Sequence, residues 1–200
     1  MNRITDVKNP TLFLDRDGTI NMDMTGSYVT KPSEFKLIEH AAEALVLAQI
    51  SGFKLAIITN QQGIAKKLYT EKDLQSIHKR MLELIRKKTN SDGFNFDDIQ
   101  YCPHKQDAGC KCRKPKTEML EKAAVKLNSD LKNSFYIGDK DADMMCAHSF
   151  GIPFILVLTG YGNDTKKGFK KFPTKPVFIA EDLLTAVKFV LQSSPTKNTL

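Results

Sequence analysis

The sequence has no apolar stretch long enough to cross a bilayer. Its opening residues, Met1-Asn2-Arg3-Ile4-Thr5-Asp6, lack the apolar segment of a secretory signal. Internal repeats, low-complexity segments and an internal linker are missing as well. These absences argue against a membrane protein, a secreted protein, a repeat array and a chain of several domains. The expectation is a cytoplasmic protein. No apolar surface stripe suggests a subunit interface, so a monomer is expected. Cysteine is scarce at four in 200 residues. Three of the four, Cys102, Cys110 and Cys112, crowd together beside His104. In a cytoplasmic chain that clustering favours metal ligation over a disulfide framework.

What is present suits one globular unit, a single domain over 1–200 with its core at about 10–191 and a loose tail at 192–200. Hydrophobic residues make up 41% and charged residues 26%, ordinary values for a packed domain. The net charge of +7 fits either nucleic acid or a small anionic substrate. Many lysines (Lys166, Lys167, Lys170, Lys171, Lys175) lie together, away from every motif below, and read as a solvated basic loop.

Short apolar runs alternate with helical patterns. Strands are expected at 11–14, 54–58, 98–101, 134–137, 154–158 and 177–179. Helices are expected at 39–50, 71–88, 117–127, 141–149 and 181–191. Gly52 and Gly151 close the first and fourth helices. Thr70 with Asp73 resembles a capping box before the second. Strand–helix alternation implies an α/β fold: a doubly wound, mostly parallel sheet with helices on both faces. The longer loops are 20–37, 102–116 and 159–176, and no insertion is large enough to form a cap domain.

In such a sheet ligands gather at the carboxyl ends of the strands. The apolar run ending at Leu14 delivers Asp15, with Asp17 two positions on and Gly18 allowing the turn. Asp15 suits attack on phosphorus with formation of an aspartyl-phosphate, and Asp17 suits proton transfer. Asp139 follows a second apolar strand. Asp15 and Asp139 together would repel a phosphate unless a hard cation such as Mg²⁺ lies between them. Asp143 either braces that metal shell or caps the following helix. Thr59 and Asn60 can donate hydrogen bonds to phosphate oxygens, and Lys114 is a fixed positive charge for the transferring group. Cys102, His104, Cys110 and Cys112 form a Cys₃His set, a closed structural zinc shell that would hold the loop carrying Arg113 and Lys114. Cys146 reads as a small core residue, and His40, His78 and His148 as surface or interface histidines.

These pieces, in order, resemble the haloacid dehalogenase superfamily. Phe13 to Asn21, Tyr28-Val29, Thr59-Asn60-Gln61, Gly63-Ile64-Ala65, Cys102-Pro103-His104, Cys110 to Pro115, Gly138-Asp139-Lys140 and Thr159 to Gly162 resemble its D-glycero-D-manno-heptose 1,7-bisphosphate 7-phosphatase group. The resemblance spans about 10–191. It implies a capless, Mg²⁺-dependent phosphatase of carbohydrate metabolism that acts on a small phosphorylated sugar. It implies Asp15 as nucleophile, Asp17 as proton donor, and Mg²⁺ on Asp15, the Asp17 carbonyl and Asp139. It gives Thr59 and Lys114 to the phosphoryl group. Arg113, Lys140, Asn60, Gln61 and the loop from Asp23 to Tyr28 would contact substrate. The spacer between His104 and Cys110, and Lys114-Pro115-Lys116, also resemble histidinol-phosphate phosphatase. A nucleic-acid 3′-phosphatase shares the Asp15/Asp17 and Thr59-Asn60-Gln61 signatures, but the cysteine cluster counts against it.

Overall fold

The computed structural model describes residues 8–23 and 27–193. Six parallel strands form one sheet: β1 (Thr11–Leu14), β2 (Lys54–Asn60), β3 (Asp98–Cys102), β4 (Phe135–Gly138), β5 (Phe154–Val157) and β6 (Phe178–Ala180). Their order is β3-β2-β1-β4-β5-β6. Every residue of β1 and of β5 is buried. That explains why both strands are unbroken apolar runs: helices cover both faces of a parallel sheet. The expected strands all form, each within about two residues of its expected ends.

The helices are α1 (Ala41–Ile50), α2 (Glu71–Thr89), α3 (Glu118–Lys126), α4 (Asp141–Phe150), α5 (Gly162–Lys167) and α6 (Leu183–Ser193). Two apolar cores result. One packs Leu45 of α1, Ile77 and Met81 of α2 and Val187 of α6 against Leu12, Leu14 and Ile57. The other packs Leu120 of α3 and Met144 of α4 against Phe13, Ile58 and Tyr136. The alternation Leu12/Phe13/Leu14 thus serves both faces in turn. At the start of α2 the expected capping box forms: Thr70 Oγ1 accepts from the Asp73 amide at 3.2 Å and the Asp73 carboxylate accepts from the Thr70 amide at 2.8 Å. Gly151 closes α4 at φ 83°.

Two expectations need correction. The loop 159–176 contains the short helix α5, which its polar, glycine-flanked sequence does not signal by apolar periodicity. Gln192 and Ser193 complete α6 instead of opening a tail; residues 194–200 lie outside the described residues.

The chain runs outward from β1 through β2 to β3, then returns to lay β4 on the other flank of β1. This reversal is the topological switch point, where open α/β sheets bind ligands. Leu14 pairs with Ile57 on one side and Ile137 on the other. β1 and β4 therefore end within about one residue of each other in register, and β2 runs on beyond them to Asn60. Among the described residues, the only helix between β1 and β2 longer than one turn is α1, so no cap is inserted there.

Candidate active site

The Asp15 backbone amide still bonds the Ile137 carbonyl at 3.0 Å, so the sheet holds this residue. Its Oδ1 accepts from its neighbour Arg16 N–H at 2.8 Å and from Lys114 Nζ at 2.8 Å. Lys114 is 4% exposed. Its ammonium also donates to the Ile58 carbonyl at 2.7 Å and pairs with Asp143 Oδ1 at 2.6 Å. Burial pulls the pKa of this lysine down, but Asp143 and Asp15 overcompensate and hold it above the ordinary lysine range. The Tyr136 hydroxyl lies 3.2 Å from both Lys114 Nζ and Asp143 Oδ1.

Of the two roles open to Asp143, the helix cap forms, and its other oxygen is taken by Lys114. Its Oδ1 pairs with Lys114, and its Oδ2 accepts the Lys140 amide at 3.1 Å at the start of α4.

Asp15, Asp139 and Asp143 each offer a carboxylate oxygen, and these oxygens lie within 4.8 Å of one another. Burial first, then the Asp15 charge, pushes the Asp139 carboxyl well above its usual range. Asp15 is raised as well, by burial and by Asp143, against the pull of Lys114. Asp139 Oδ2 accepts from the Tyr161 amide at 2.7 Å, but its Oδ1 is buried with no hydrogen-bond partner. A buried, unpartnered carboxylate oxygen among like charges is the arrangement that a small divalent cation relieves, and this donor set fits Mg²⁺. Two glycines close around Asp139. A Cβ on Gly18 (φ 89°) or on Gly160 (φ 54°) would come within 2.2 Å of its Oδ2. Only glycine leaves that space and tolerates that backbone.

Asp17 is held differently. Arg16 Nη2 reaches both of its oxygens at 2.8 Å, Asn21 Nδ2 donates at 3.0 Å and Gln61 Nε2 at 2.8 Å. Burial raises the Asp17 carboxyl, but the Arg16 guanidinium and these hydrogen bonds outweigh it and hold it below the usual carboxylate range. Thr59 Oγ1 accepts from the same Gln61 amide at 2.9 Å, which leaves the threonine's own proton to be given elsewhere.

A cavity of about 710 Å³ opens above these groups, lined by Asp17, Asp23, Tyr28, Asn60, Lys66, Arg113, Lys114 and Lys140 among others. Lys140 pairs with Asp23 at 2.8 Å and lies over the Tyr161 ring. Burial pulls its pKa down, but Asp15, Asp139 and Asp23 hold it above the ordinary lysine range. Tyr28 accepts from Lys66 at 3.0 Å. Residues 24–26, between Asp23 and Tyr28, lie outside the described residues. Arg113 Nη1 reaches the His104 carbonyl at 3.4 Å. Asn60 reaches the cavity wall, but its amide spans the Lys114 backbone, accepting from its N–H at 3.1 Å and donating to its carbonyl at 3.3 Å.

Gln61 does not fit the expected substrate contact. It is 2% exposed and does not line the cavity; its amide is occupied by Tyr69, Thr59 and Asp17. His78 is not a surface histidine either. It lies buried on α2, with Nε2 3.2 Å from Arg16 Nη1. Its place in the apolar stripe Leu74, Ile77, Met81, Ile85 is the signal that marks it as inward-facing.

The cysteine cluster assembles as its spacing suggests. Cys102 Sγ lies 3.7 Å from Cys110 Sγ and 3.6 Å from His104 Nδ1, which is 3.3 Å from Cys112 Sγ. Sulfurs about 3.8 Å apart are what a tetrahedral shell with ~2.3 Å zinc–sulfur bonds requires. The set could hold zinc. Cys146 stands apart, buried on α4, with its thiol 3.2 Å from the Lys116 carbonyl.

A family profile described as HAD-hydrolase-like matches residues 111–186. The D-glycero-D-manno-heptose-1,7-bisphosphate 7-phosphatase of Chlorobaculum tepidum is 37% identical over 92% of this chain and 96% of its own. The corresponding 7-phosphatase of Helicobacter pylori strain J99 is 38% identical over 76% and 84%. The crystal structure of a D,D-heptose 1,7-bisphosphate phosphatase from B. bronchiseptica, complexed with magnesium and phosphate, superposes with a TM-score of 0.83. It is 29% identical, over 92% of this chain and 99% of that one. Identity of this extent over nearly whole chains, with the fold in agreement, makes the protein a phosphoric monoester hydrolase. It belongs to the D-glycero-D-manno-heptose 1,7-bisphosphate 7-phosphatase family of haloacid dehalogenase-like phosphatases.

Proposed function

We propose that the protein removes the 7-phosphate of D-glycero-D-manno-heptose 1,7-bisphosphate through an aspartyl-phosphate on Asp15. The observation that carries the chemistry is Asp15 itself, a carboxylate held by the sheet at the switch point with Lys114 2.8 Å away. The substrate is carried by the relatives, whose names agree on it.

An Asp15 oxygen attacks phosphorus as the bond to the sugar oxygen breaks, and Asp17 gives that oxygen its proton. The resting site holds Asp17 ionised. An arriving phosphate is a like charge that raises its pKa towards the protonated form the first step needs. The ionised form then takes a proton from the water that hydrolyses the aspartyl-phosphate. Lys114 and Thr59 stabilise the charge on the transferring oxygens. Asp15, the Asp17 carbonyl and Asp139 are the groups that would hold Mg²⁺, which when bound neutralises charge between phosphate and carboxylates. Arg113 and Lys140, in the cavity wall with Asp23 and Tyr28, are the substrate contacts in this reading. Asn60 and Gln61 act one step back, holding Lys114 and Asp17.

Zinc on Cys102, His104, Cys110 and Cys112 would be structural. Thiol ligands suit a reducing compartment, so we place the enzyme in the cytoplasm, as one catalytic unit over 1–200 working as a monomer on a free metabolite. Phosphate release is the test, measured across heptose 1,7-bisphosphate, histidinol phosphate, common sugar phosphates and a 3′-phosphorylated oligonucleotide. Heptose bisphosphate should give the highest kcat/KM. A higher value for any other member would overturn the substrate assignment.

A further inference from the structure

Two side chains on or just before α2, Tyr69 and His78, end in buried polar contacts aimed at Asp17 through an intermediary. The Tyr69 hydroxyl donates to Gln61 Oε1 at 2.5 Å. That bond fixes which way the amide faces, so its NH₂ points at Asp17 and Thr59. Reversed, the amide would set its oxygen against the Asp17 carboxylate. The chain makes room for this tyrosine: a Cβ on Gly63 would come within 2.2 Å of its ring. Burial pushes the Tyr69 hydroxyl up to about 12, so it keeps its proton and remains a donor.

His78 faces Arg16 Nη1 at 3.2 Å. A guanidinium only donates, so His78 Nε2 accepts and the ring is neutral. Burial and the Arg16 charge depress the His78 pKa to about 3, in agreement with a neutral ring. Arg16 is itself 1% exposed, and its remaining nitrogens, Nε and Nη2, face Asp17. With His78 taking one edge of the guanidinium, the other is turned squarely onto the carboxylate.

The geometry points to Tyr69 and His78 as positioning residues for proton transfer: each orients a neighbour, Gln61 or Arg16, that holds the Asp17 carboxylate in place. This rests on the proposed role of Asp17 at the leaving oxygen. Neither residue touches the reacting atoms, and no substrate affinity is expected from them.

The test uses the Mg²⁺-loaded enzyme and two phosphate esters. Heptose 1,7-bisphosphate has an alkyl leaving oxygen that needs a proton. p-Nitrophenyl phosphate has a leaving group that departs without one. Tyr69→Phe keeps the ring and removes only the donor. His78→Leu removes the acceptor, and His78→Gln restores one. Tyr69→Phe and His78→Leu should each lower kcat on the heptose ester ~10-fold, a part of the ~10²–10⁴-fold that proton transfer contributes. KM should stay within about twofold, since the lost bonds lie outside the substrate contacts. The first-turnover burst of p-nitrophenol should change far less, and His78→Gln should recover most of the loss. On p-nitrophenyl phosphate, Tyr69→Phe combined with Asp17→Asn should be no slower than Asp17→Asn alone.

Wild-type kcat in Tyr69→Phe, or equal losses on both esters, would overturn the inference. If His78→Leu fails to fold, the near-isosteric Tyr69→Phe decides the matter. Asp17→Asn separates the two levels: a fully active Asp17→Asn removes the underlying reading, whereas an inactive Asp17→Asn beside a wild-type Tyr69→Phe removes this inference alone.

Discussion

Lys114 and Asp15, ninety-nine positions apart in the chain, meet in a buried ion pair 2.8 Å long that joins the loop after β3 to the end of β1. The same ammonium neutralises Asp143. Lys114→Met would leave two buried carboxylates without their cation. Breaking such a pair costs on the order of 3–5 kcal/mol. The variant should unfold at lower urea than wild type and lose turnover even where it is fully folded. Equilibrium unfolding with kinetics on the same sample checks both, and wild-type values in either would contradict this account of the lysine.

Asp15→Asn should abolish turnover with the fold intact, because an amide cannot attack phosphorus. Far-ultraviolet circular dichroism should match wild type. Substantial residual phosphate release would rule out an aspartyl-phosphate on this residue.

Metal dependence has a steric handle. Activity should disappear with EDTA and return with excess Mg²⁺. Gly160→Ala would drive a methyl group into Asp139 Oδ2 and so disturb the proposed ligand. The Mg²⁺ concentration for half-maximal activity should rise about tenfold or more, the usual effect of disturbing a metal site. An unchanged requirement would show that Asp139 is not a ligand.

The purified protein should carry about one zinc per chain, as a closed Cys₃His shell predicts. Cys110→Ala should release it and loosen residues 102–116. KM should then rise and kcat fall together, because Arg113 and Lys114 directly follow Cys112, while the sheet stays folded. Elemental analysis without zinc, or wild-type kinetics in the variant, would contradict the clamp.

His78 supplies a pH dependence. Burial and the Arg16 charge push its pKa down to about 3 in the folded protein, from about 6.5 for an unperturbed histidine. Between those values the unfolded chain binds the extra proton, so stability rises with pH across that window. The contribution is complete above about pH 6.5 and is lost as pH falls towards 3. His78→Gln should flatten this part of the urea-midpoint profile. Parallel profiles for variant and wild type would refute it.

The strands and the acids at their ends were legible because the two signals are contiguous: Leu12-Phe13-Leu14 runs straight into Asp15, and Tyr136-Ile137-Gly138 into Asp139. The cysteine cluster was legible for the same reason. What escaped is non-local. Nothing in the chain links His78 to Arg16 across sixty-two positions, or says that the Tyr69 hydroxyl ends on Gln61. Gln61 follows β2 directly, so local reasoning aims it at the ligand; the packing of Tyr69 over Gly63 turns it inward. Asp143 caps α4 through one oxygen, as its position allows, but the Lys114 partner of the other oxygen comes from a distant loop that local sequence does not point to.

The placing of β1, bonded along both sides by β2 and β4, has a consequence for how the protein comes apart and how it changes over time. The Asp15 amide, bonded to Ile137, should exchange its hydrogen only when the sheet itself opens, whereas the exposed residues 105–109, between the candidate zinc ligands, should exchange far sooner. Mutations along that stretch can then accumulate without threatening the nucleophile. Lineages built on this scaffold are free to change what they bind far faster than what they do to it.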